Sequence, residues 1–167
     1  YQDRAGTLWI GDSSPRSPGL IRRDAQGFHL LSRREGLPHA SINTIMEQGS
    51  NSDLWVGTGF AGSGGAVAIS NGSLRAIGRQ HGLGGDKVRT IFEDSRGRLW
   101  FGSEYDGVAV FGDTRLAVIG EGDGLAGPEV KAIVEYPANT FWLGTHGGLT
   151  RIEDFEQRAA ADRYPGC

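Results

Sequence analysis

Hydrophobic residues in this chain fall in short runs of strand length, separated by polar and glycine-rich punctuation. One set alternates or is β-branched: Ser41-Ile42-Asn43-Thr44-Ile45-Met46, Val88-Arg89-Thr90-Ile91-Phe92 and Val130-Lys131-Ala132-Ile133-Val134. Such runs predict strands rather than helices, being too short and too rich in branched side chains for an amphipathic helix. A polar turn follows, clearest as Asp94-Ser95-Arg96-Gly97 and Asp3-Arg4-Ala5-Gly6, where Asp caps its own turn and Gly accepts positive φ. Next comes a tryptophan phrase, a second strand: Leu8-Trp9-Ile10-Gly11, Leu54-Trp55-Val56-Gly57, Leu99-Trp100-Phe101-Gly102 and Phe141-Trp142-Leu143-Gly144.

Third strands are predicted at Gly65–Ile69, Gly107–Phe111 and Gly148–Ile152, and fourth strands at Phe28–Leu31, Leu74–Ile77 and Leu116–Ile119. The tryptophans recur at intervals of 46, 45 and 42 residues, with Gly36-Leu37, Gly82-Leu83 and Gly124-Leu125 as a second anchor in register. Four strands in a period of about 45 is the blade of a β-propeller, so the fold class is all-β. The blades fall at about 1–32, 42–79, 88–119 and 130–152: a partial blade, two full blades and a partial blade, about half a ring. Residues 153–167 are a tail whose Glu153–Ala161 stretch favours a helix. Unpaired blade edges recruit partners, so either a longer parent chain or self-association is expected to complete the ring.

Each tryptophan is expected to be structural. Burying an indole removes about 150–250 Å² from water, roughly 4–6 kcal/mol as an upper figure, which suits Trp9, Trp55, Trp100 and Trp142 as hubs between neighbouring blades. The glycine two residues on then lets the next sheet approach closely.

Composition narrows the function classes. The 167 residues include 28 glycines, 9% aromatic residues and a net charge of −3. Scattered basic residues and an acidic balance argue against nucleic acid as a partner. Only Lys87 and Lys131 among the basic residues are lysines, the rest being arginines suited to carboxylate or sulfate groups. Cys167 is the one cysteine, which excludes an internal disulfide and a cysteine-based metal site. No apolar run is long enough to span a membrane, so no membrane contact is expected in this segment. The chain reads as a mature piece or excised segment, since it opens Tyr1-Gln2-Asp3.

The succession Gly82-Leu83, Val88, Ile91, Glu93-Asp94, Gly97 and Leu99-Trp100-Phe101-Gly102-Ser103 resembles the two-component regulator propeller repeat. The resemblance extends over nearly the whole chain. It implies the sensor propeller of bacterial hybrid histidine kinases or diguanylate cyclases, a periplasmic or extracytoplasmic location, and signalling output supplied by other domains. Two departures stand out. The first blade lacks its first strand, and the last replaces Asp-x-x-Gly by Glu135-Tyr136-Pro137-Ala138-Asn139.

In a propeller, the loops joining second to third strands and blade to blade share one face, and the first strands line the channel. This nominates Phe60 in a Gly59–Gly65 loop, Glu104, Tyr105 and Asp106 in the next, and His146 in the last. The inter-blade loops add His39, His81, Asp86 and Lys87, and the channel adds Asn43, Arg89 and Lys131. The chosen ligand-binding set is Phe60, His81, Lys87, Arg89, Glu104, Tyr105 and His146. Aromatic rings beside acids suit a small molecule such as an oligosaccharide. Four histidines at no ligand-like spacing predict no metal, and no phosphate cradle, nucleophile elbow or other cofactor motif is present. The expected function is therefore non-catalytic ligand sensing. Self-assembly of half-ring chains is an alternative, and another is a streptogramin-lyase-like enzyme using His146 as base with Glu104 as its acid.

Overall fold

The computed structural model describes residues 1–112, 115–153 and 155. Fourteen strands form four antiparallel sheets among them. The first sheet holds β1 (Leu8–Ile10), β2 (Leu20–Asp24) and β3 (Gly27–Leu31). The second holds β4 (Ile42–Glu47), β5 (Leu54–Phe60), β6 (Ser63–Ser70) and β7 (Ser73–Ile77). The third holds β8 (Val88–Glu93), β9 (Leu99–Ser103), β10 (Val108–Phe111) and β11 (Arg115–Ile119). The fourth holds β12 (Val130–Glu135), β13 (Thr140–Thr145) and β14 (Gly148–Glu153). Each sheet is a meander in sequence order, and β8 lies between β4 and β12. These are the blades I to IV of a β-propeller arc.

The core is three separate clusters, one at each junction. Trp9 packs with Leu37, Ile42, Leu54 and Val56 between blades I and II. Trp55 packs with Leu83, Val88, Ile91 and Phe101 between II and III, its ring 5.2 Å from that of Phe101 in edge geometry. Trp100 packs with Leu125, Val130 and Phe141 between III and IV, stacked on Phe141 at 4.3 Å. Trp9, Trp55 and Trp100 are hubs between blades, as their period requires. Trp142 is different: among the described residues no sheet packs on its outer side, it is half-buried, and Arg151 lies over its ring at 5.3 Å.

Every indole N–H is tied to the turn of its own first hairpin. Trp9 donates to Asp3 at 2.8 Å, Trp55 to Gln48 at 3.0 Å, Trp100 to Asp94 at 2.8 Å and Trp142 to the Tyr136 carbonyl at 2.8 Å. The tryptophan therefore welds its own turn while its ring faces the next blade. The glycine two residues on makes room. A Cβ on Gly57 would lie 2.8 Å from Val88 Cγ1, and one on Gly102 would lie 3.0 Å from Val130 Cβ.

Two expectations need correction. The predicted Gly59–Gly65 loop is absent, because β5 runs on to Phe60 and pairs it with Ser63. Ala61 and Gly62, with φ of 47° and 83°, form a two-residue turn of the kind that suits strand twist, and the glycines on both sides pair as strand. The first strand of blade I is not wholly missing either: Trp9 donates to the Tyr1 carbonyl at 2.8 Å, and the Tyr1 amino group donates to the Trp9 carbonyl at 3.0 Å. In the tail, Phe155 is helical and buried, its ring 4.9 Å from that of Trp100, while the rest of the predicted helix lies outside the described residues.

Candidate functional site

A repeated backbone irregularity builds the site. The pairing of each first strand slips between Ile42 and Thr44, between Val88 and Thr90, and between Val130 and Ala132. Asn43, Arg89 and Lys131 are thus the extra residues of three equivalent β-bulges, which re-aim a side chain and are common beside functional sites. Together with Ser13 they line one cavity of about 240 Å³, which brings together the three residues nominated from the first strands.

The hairpin ends beside these bulges are equivalent too. Gly59 N donates to the Ser41 carbonyl at 3.0 Å, Glu104 N to Lys87 at 3.1 Å, and His146 N to Glu129 at 3.1 Å. The repeat therefore places Lys87 against Glu104 in blade III and Glu129 against His146 in blade IV, the order of base and acid reversed. Lys87 Nζ makes an ion pair with Glu104 Oε2 and lies 5.6 Å from the Phe60 ring centroid. Arg89 reaches Glu104 at 3.6 Å and Glu129 at 3.0 Å. Glu129 also meets Lys131 at 3.5 Å and His146 Nδ1 at 3.9 Å.

A continuous chain of charges results, running Lys87, Glu104, Arg89, Glu129 and then Lys131 or His146, with Phe60 at one end. Tyr105 joins it through a hydrogen bond to Glu104. Burial pushes the Glu104 carboxyl up, but hydrogen bonds from Lys87 and Tyr105 and the charges of Lys87 and Arg89 outweigh this and hold it below its ordinary range. The Tyr105 hydroxyl is correspondingly raised, because it donates to that carboxylate and sits in its field.

Six of the seven residues chosen from sequence thus meet: Phe60, Lys87, Arg89, Glu104, Tyr105 and His146. His81 does not join them. It lines a separate cleft with Trp55, Arg75 and Phe111, and its Nδ1 accepts from Gly78 N at 3.1 Å. A short 3-10 turn, Arg79–His81, takes up this part of the inter-blade connection. Its Arg79 reaches forward to Asp86 at 3.0 Å and Asp106 at 2.8 Å. His39 is occupied locally, accepting from Ser41 N at 3.0 Å.

Two participants escaped the sequence reading, Glu129 and Arg79. Glu129 was detectable, since it occupies the position of Lys87 one repeat later. Arg79 carried no such signal. The acid beside His146 is Glu129, whereas Glu104 is engaged by Lys87, Arg89 and Tyr105. Among the described residues no group of three or more His, Cys, Asp or Glu is placed to hold a metal ion, and no helix is long and apolar enough to cross a membrane.

The stretch that supplies most of this chain of charges is also one that a known family model matches. Residues 82–105 match the two component regulator propeller family. This propeller repeat contains Lys87, Arg89, Glu104 and Tyr105. Similar solved structures include the extracellular domain of a B. thetaiotaomicron protein assigned as a hybrid two component system, at 18% identity and a TM-score of 0.75. It also includes a second structure of that extracellular domain, described as a one component system, at 19% and 0.69. PorZ, a surface component of the type-IX secretion system of Porphyromonas gingivalis, follows at 20% and 0.60. The first two are matched over 93% of this chain and PorZ over 92%. The chain spans only about a quarter of each, 23%, 23% and 25% respectively. At these identities the likeness establishes the propeller fold. No curated protein matches the sequence.

Proposed function

We propose that the chain is a ligand-sensing segment of an extracytoplasmic propeller from a two-component-type signalling protein, and that it does no chemistry itself. The observation that carries this reading is the convergence of Phe60, Lys87, Arg89, Glu104, Tyr105 and His146 from three hairpin ends onto one linked polar surface. Exposed aromatic edges beside a fixed carboxylate and fixed cations suit a small polar molecule such as an oligosaccharide, rings covering its apolar faces and charges bonding its hydroxyls. Binding across blades III and IV would bias their junction, which gives occupancy a route to the rest of a longer protein. No metal or cofactor is required. Screening an oligosaccharide library by thermal shift, then repeating the hits on Tyr105→Ala and Glu104→Gln, tests the reading. At least one hit weakened about tenfold or more by either change is expected. Hits unaffected by both changes, or an empty screen, would count against it.

A second reading, assembly through the blade edges, draws on the two end faces. Leu8, Ile10, Phe28 and Leu30 are exposed on blade I, and Val134, Tyr136 and Leu149 on blade IV. By repeat position, Leu8 and Ile10 correspond to Leu99 and Phe101, which are buried at a junction. Light scattering on the purified chain separates the readings: a monodisperse monomer across the micromolar range removes assembly as an activity of this segment.

A further inference from the structure

The cavity at the three bulges has a chemistry that the outer polar rim does not share. Its lining is Ser13, Asn43, Arg89 and Lys131, two cations and two neutral polar groups. Glu104 and Glu129 are not part of the lining, although both contact the cations. The acids therefore act as positioning groups. Glu129 holds Arg89 at 3.0 Å and Lys131 at 3.5 Å, so that two cations from successive blades are kept on one cavity wall against their mutual repulsion. Within the chain of charges, Lys87, Arg89 and Lys131 outnumber Glu104 and Glu129, which leaves a net positive charge at neutral His146.

Asn43 supplies the other half of the specificity. Its Nδ2 donates to the Gly59 carbonyl at 3.1 Å and the Val88 carbonyl at 3.0 Å, which fixes the amide and commits both of its donors to backbone. Oδ1 is then the part of Asn43 able to engage a ligand, and it can only accept. An anion without an O–H, such as chloride or sulfate, offers it nothing. A ligand that carries an anionic group and, a few ångströms away, a hydroxyl satisfies the cations and the amide together. The cavity, at about 240 Å³, is smaller than the pockets of drug-sized ligands and fits a small molecule or one end of a larger one.

We infer that the bulge cavity of blades II to IV binds a small hydroxycarboxylate, its carboxylate between Arg89 and Lys131 and its hydroxyl on Asn43. This deepens the ligand-sensing reading and rests on it: it assigns charge and a hydroxyl to the group that enters the channel side of the site.

Titrating the ¹⁵N-labelled chain at constant ionic strength with glycerate, propionate and glycerol tests the assignment, since propionate lacks the hydroxyls and glycerol the charge. Saturable shifts of the Asn43, Arg89 and Lys131 amides are expected with glycerate, at least about fivefold weaker with propionate and absent with glycerol. Lys131 is half exposed at the cavity and lies outside the three hydrophobic clusters, so its replacement removes no core packing. Lys131→Gln is expected to weaken glycerate about tenfold or more and Lys131→Arg to restore it, with the remaining spectrum unchanged. Equal affinity for glycerate and propionate, the same shifts with chloride, or indifference to Lys131→Gln would each overturn the inference. Shifts at Phe60 and Tyr105 with neutral oligosaccharides, while glycerate leaves the bulge amides unmoved, would overturn it and leave ligand sensing standing. Silence towards every probe would remove both.

Discussion

Ser95, in the first turn of blade III, donates its backbone N–H and its hydroxyl to Glu135 of blade IV, both at 2.7 Å. The same staple recurs at each junction. Arg4 N donates to Glu47 at 2.9 Å, and Gly49 N donates to Glu93. A glutamate closing each first strand thus clasps the preceding blade's turn, one residue after the group that receives the indole. In blade IV that position is Pro137, which has no N–H to give. Whatever meets the outer face of blade IV does so without this bond.

Glu135→Ala is expected to cost about 1.5–3 kcal/mol, the range for hydrogen bonds to a charged group, read as a lowered midpoint in urea. Burial raises the Glu135 carboxyl, but the N–H groups of Asn139 and Ser95 and the Ser95 hydroxyl outweigh this and lower it. Its contribution is therefore full above the unfolded value near 4.3 and is lost as pH falls through the lower folded value. Stability profiles of wild type and Glu135→Gln should converge on the acid side; parallel profiles down to the lowest pH would contradict the staple.

Asp94 is the most heavily used turn residue. It accepts from Trp100 Nε1 at 2.8 Å, Arg98 Nε at 2.6 Å, and the N–H groups of Arg96 and Arg98 at 3.0 and 2.9 Å. Asp94→Ala breaks a buried ion pair and strips the indole of its acceptor, with an expected loss of about 3–5 kcal/mol. Asp3→Ala, at the more exposed equivalent in blade I, should cost about 1 kcal/mol. Comparable losses in denaturant unfolding would show that burial does not set the difference.

The tryptophan-phrase glycines separate local from junction effects. In Gly102→Ala the new Cβ would lie 2.6 Å from Thr90 Cγ2 and 3.0 Å from Val130 Cβ, so overpacking of about 1–3 kcal/mol is expected. At Gly144, its equivalent in blade IV, the nearest side-chain atom is Ala132 Cβ at 3.7 Å. Gly144→Ala should be neutral or stabilise by a few tenths of a kcal/mol through the unfolded chain, to about 1 kcal/mol at most. Equal melting shifts for the two variants would refute the close-approach role of this glycine.

Tyr105 reports on the polar cluster. Its hydroxyl donates a hydrogen bond to the Glu104 carboxylate, so ionisation would set two negative oxygens together and the phenol is raised above its usual value near 10. The stabilisation from this bond is complete below pH 10 and fades as pH rises through the folded value. Difference ultraviolet titration of wild type against Tyr105→Phe should show the late phenol, and Glu104→Gln should bring it back towards 10. An unmoved titration in Glu104→Gln would break the link between the two residues.

Much of this was legible in the chain because a repeat multiplies weak signals. One Trp-x-Gly phrase says little, but four in register with Gly-Leu anchors set the strands, their grouping into four sheets and the hub role of Trp9, Trp55 and Trp100. Equivalence between repeats also gathered the hairpin-end residues onto one face. The failures have a common origin. Gly59, Gly64 and Gly65 read as a loop because glycine disfavours strands in general, yet here backbone presses close on all three and only glycine fits: a Cβ would lie 2.9 Å from Lys87 Cα at Gly59, 2.6 Å from the Asp86 carbonyl at Gly64 and 2.5 Å from the Ile77 carbonyl at Gly65.

What sequence determined by itself was the periodic part, since spacing, turn chemistry and side-chain alternation are local properties that recur along the chain. Tertiary structure alone decided which charges meet. The ion pairs of Arg89 with Glu129 and of Arg79 with Asp106 span 40 and 27 residues and depend on the angle between neighbouring sheets, which no local pattern encodes. The bulges at Asn43, Arg89 and Lys131 were hidden for the same reason: an unpaired residue exists only relative to the strand beside it.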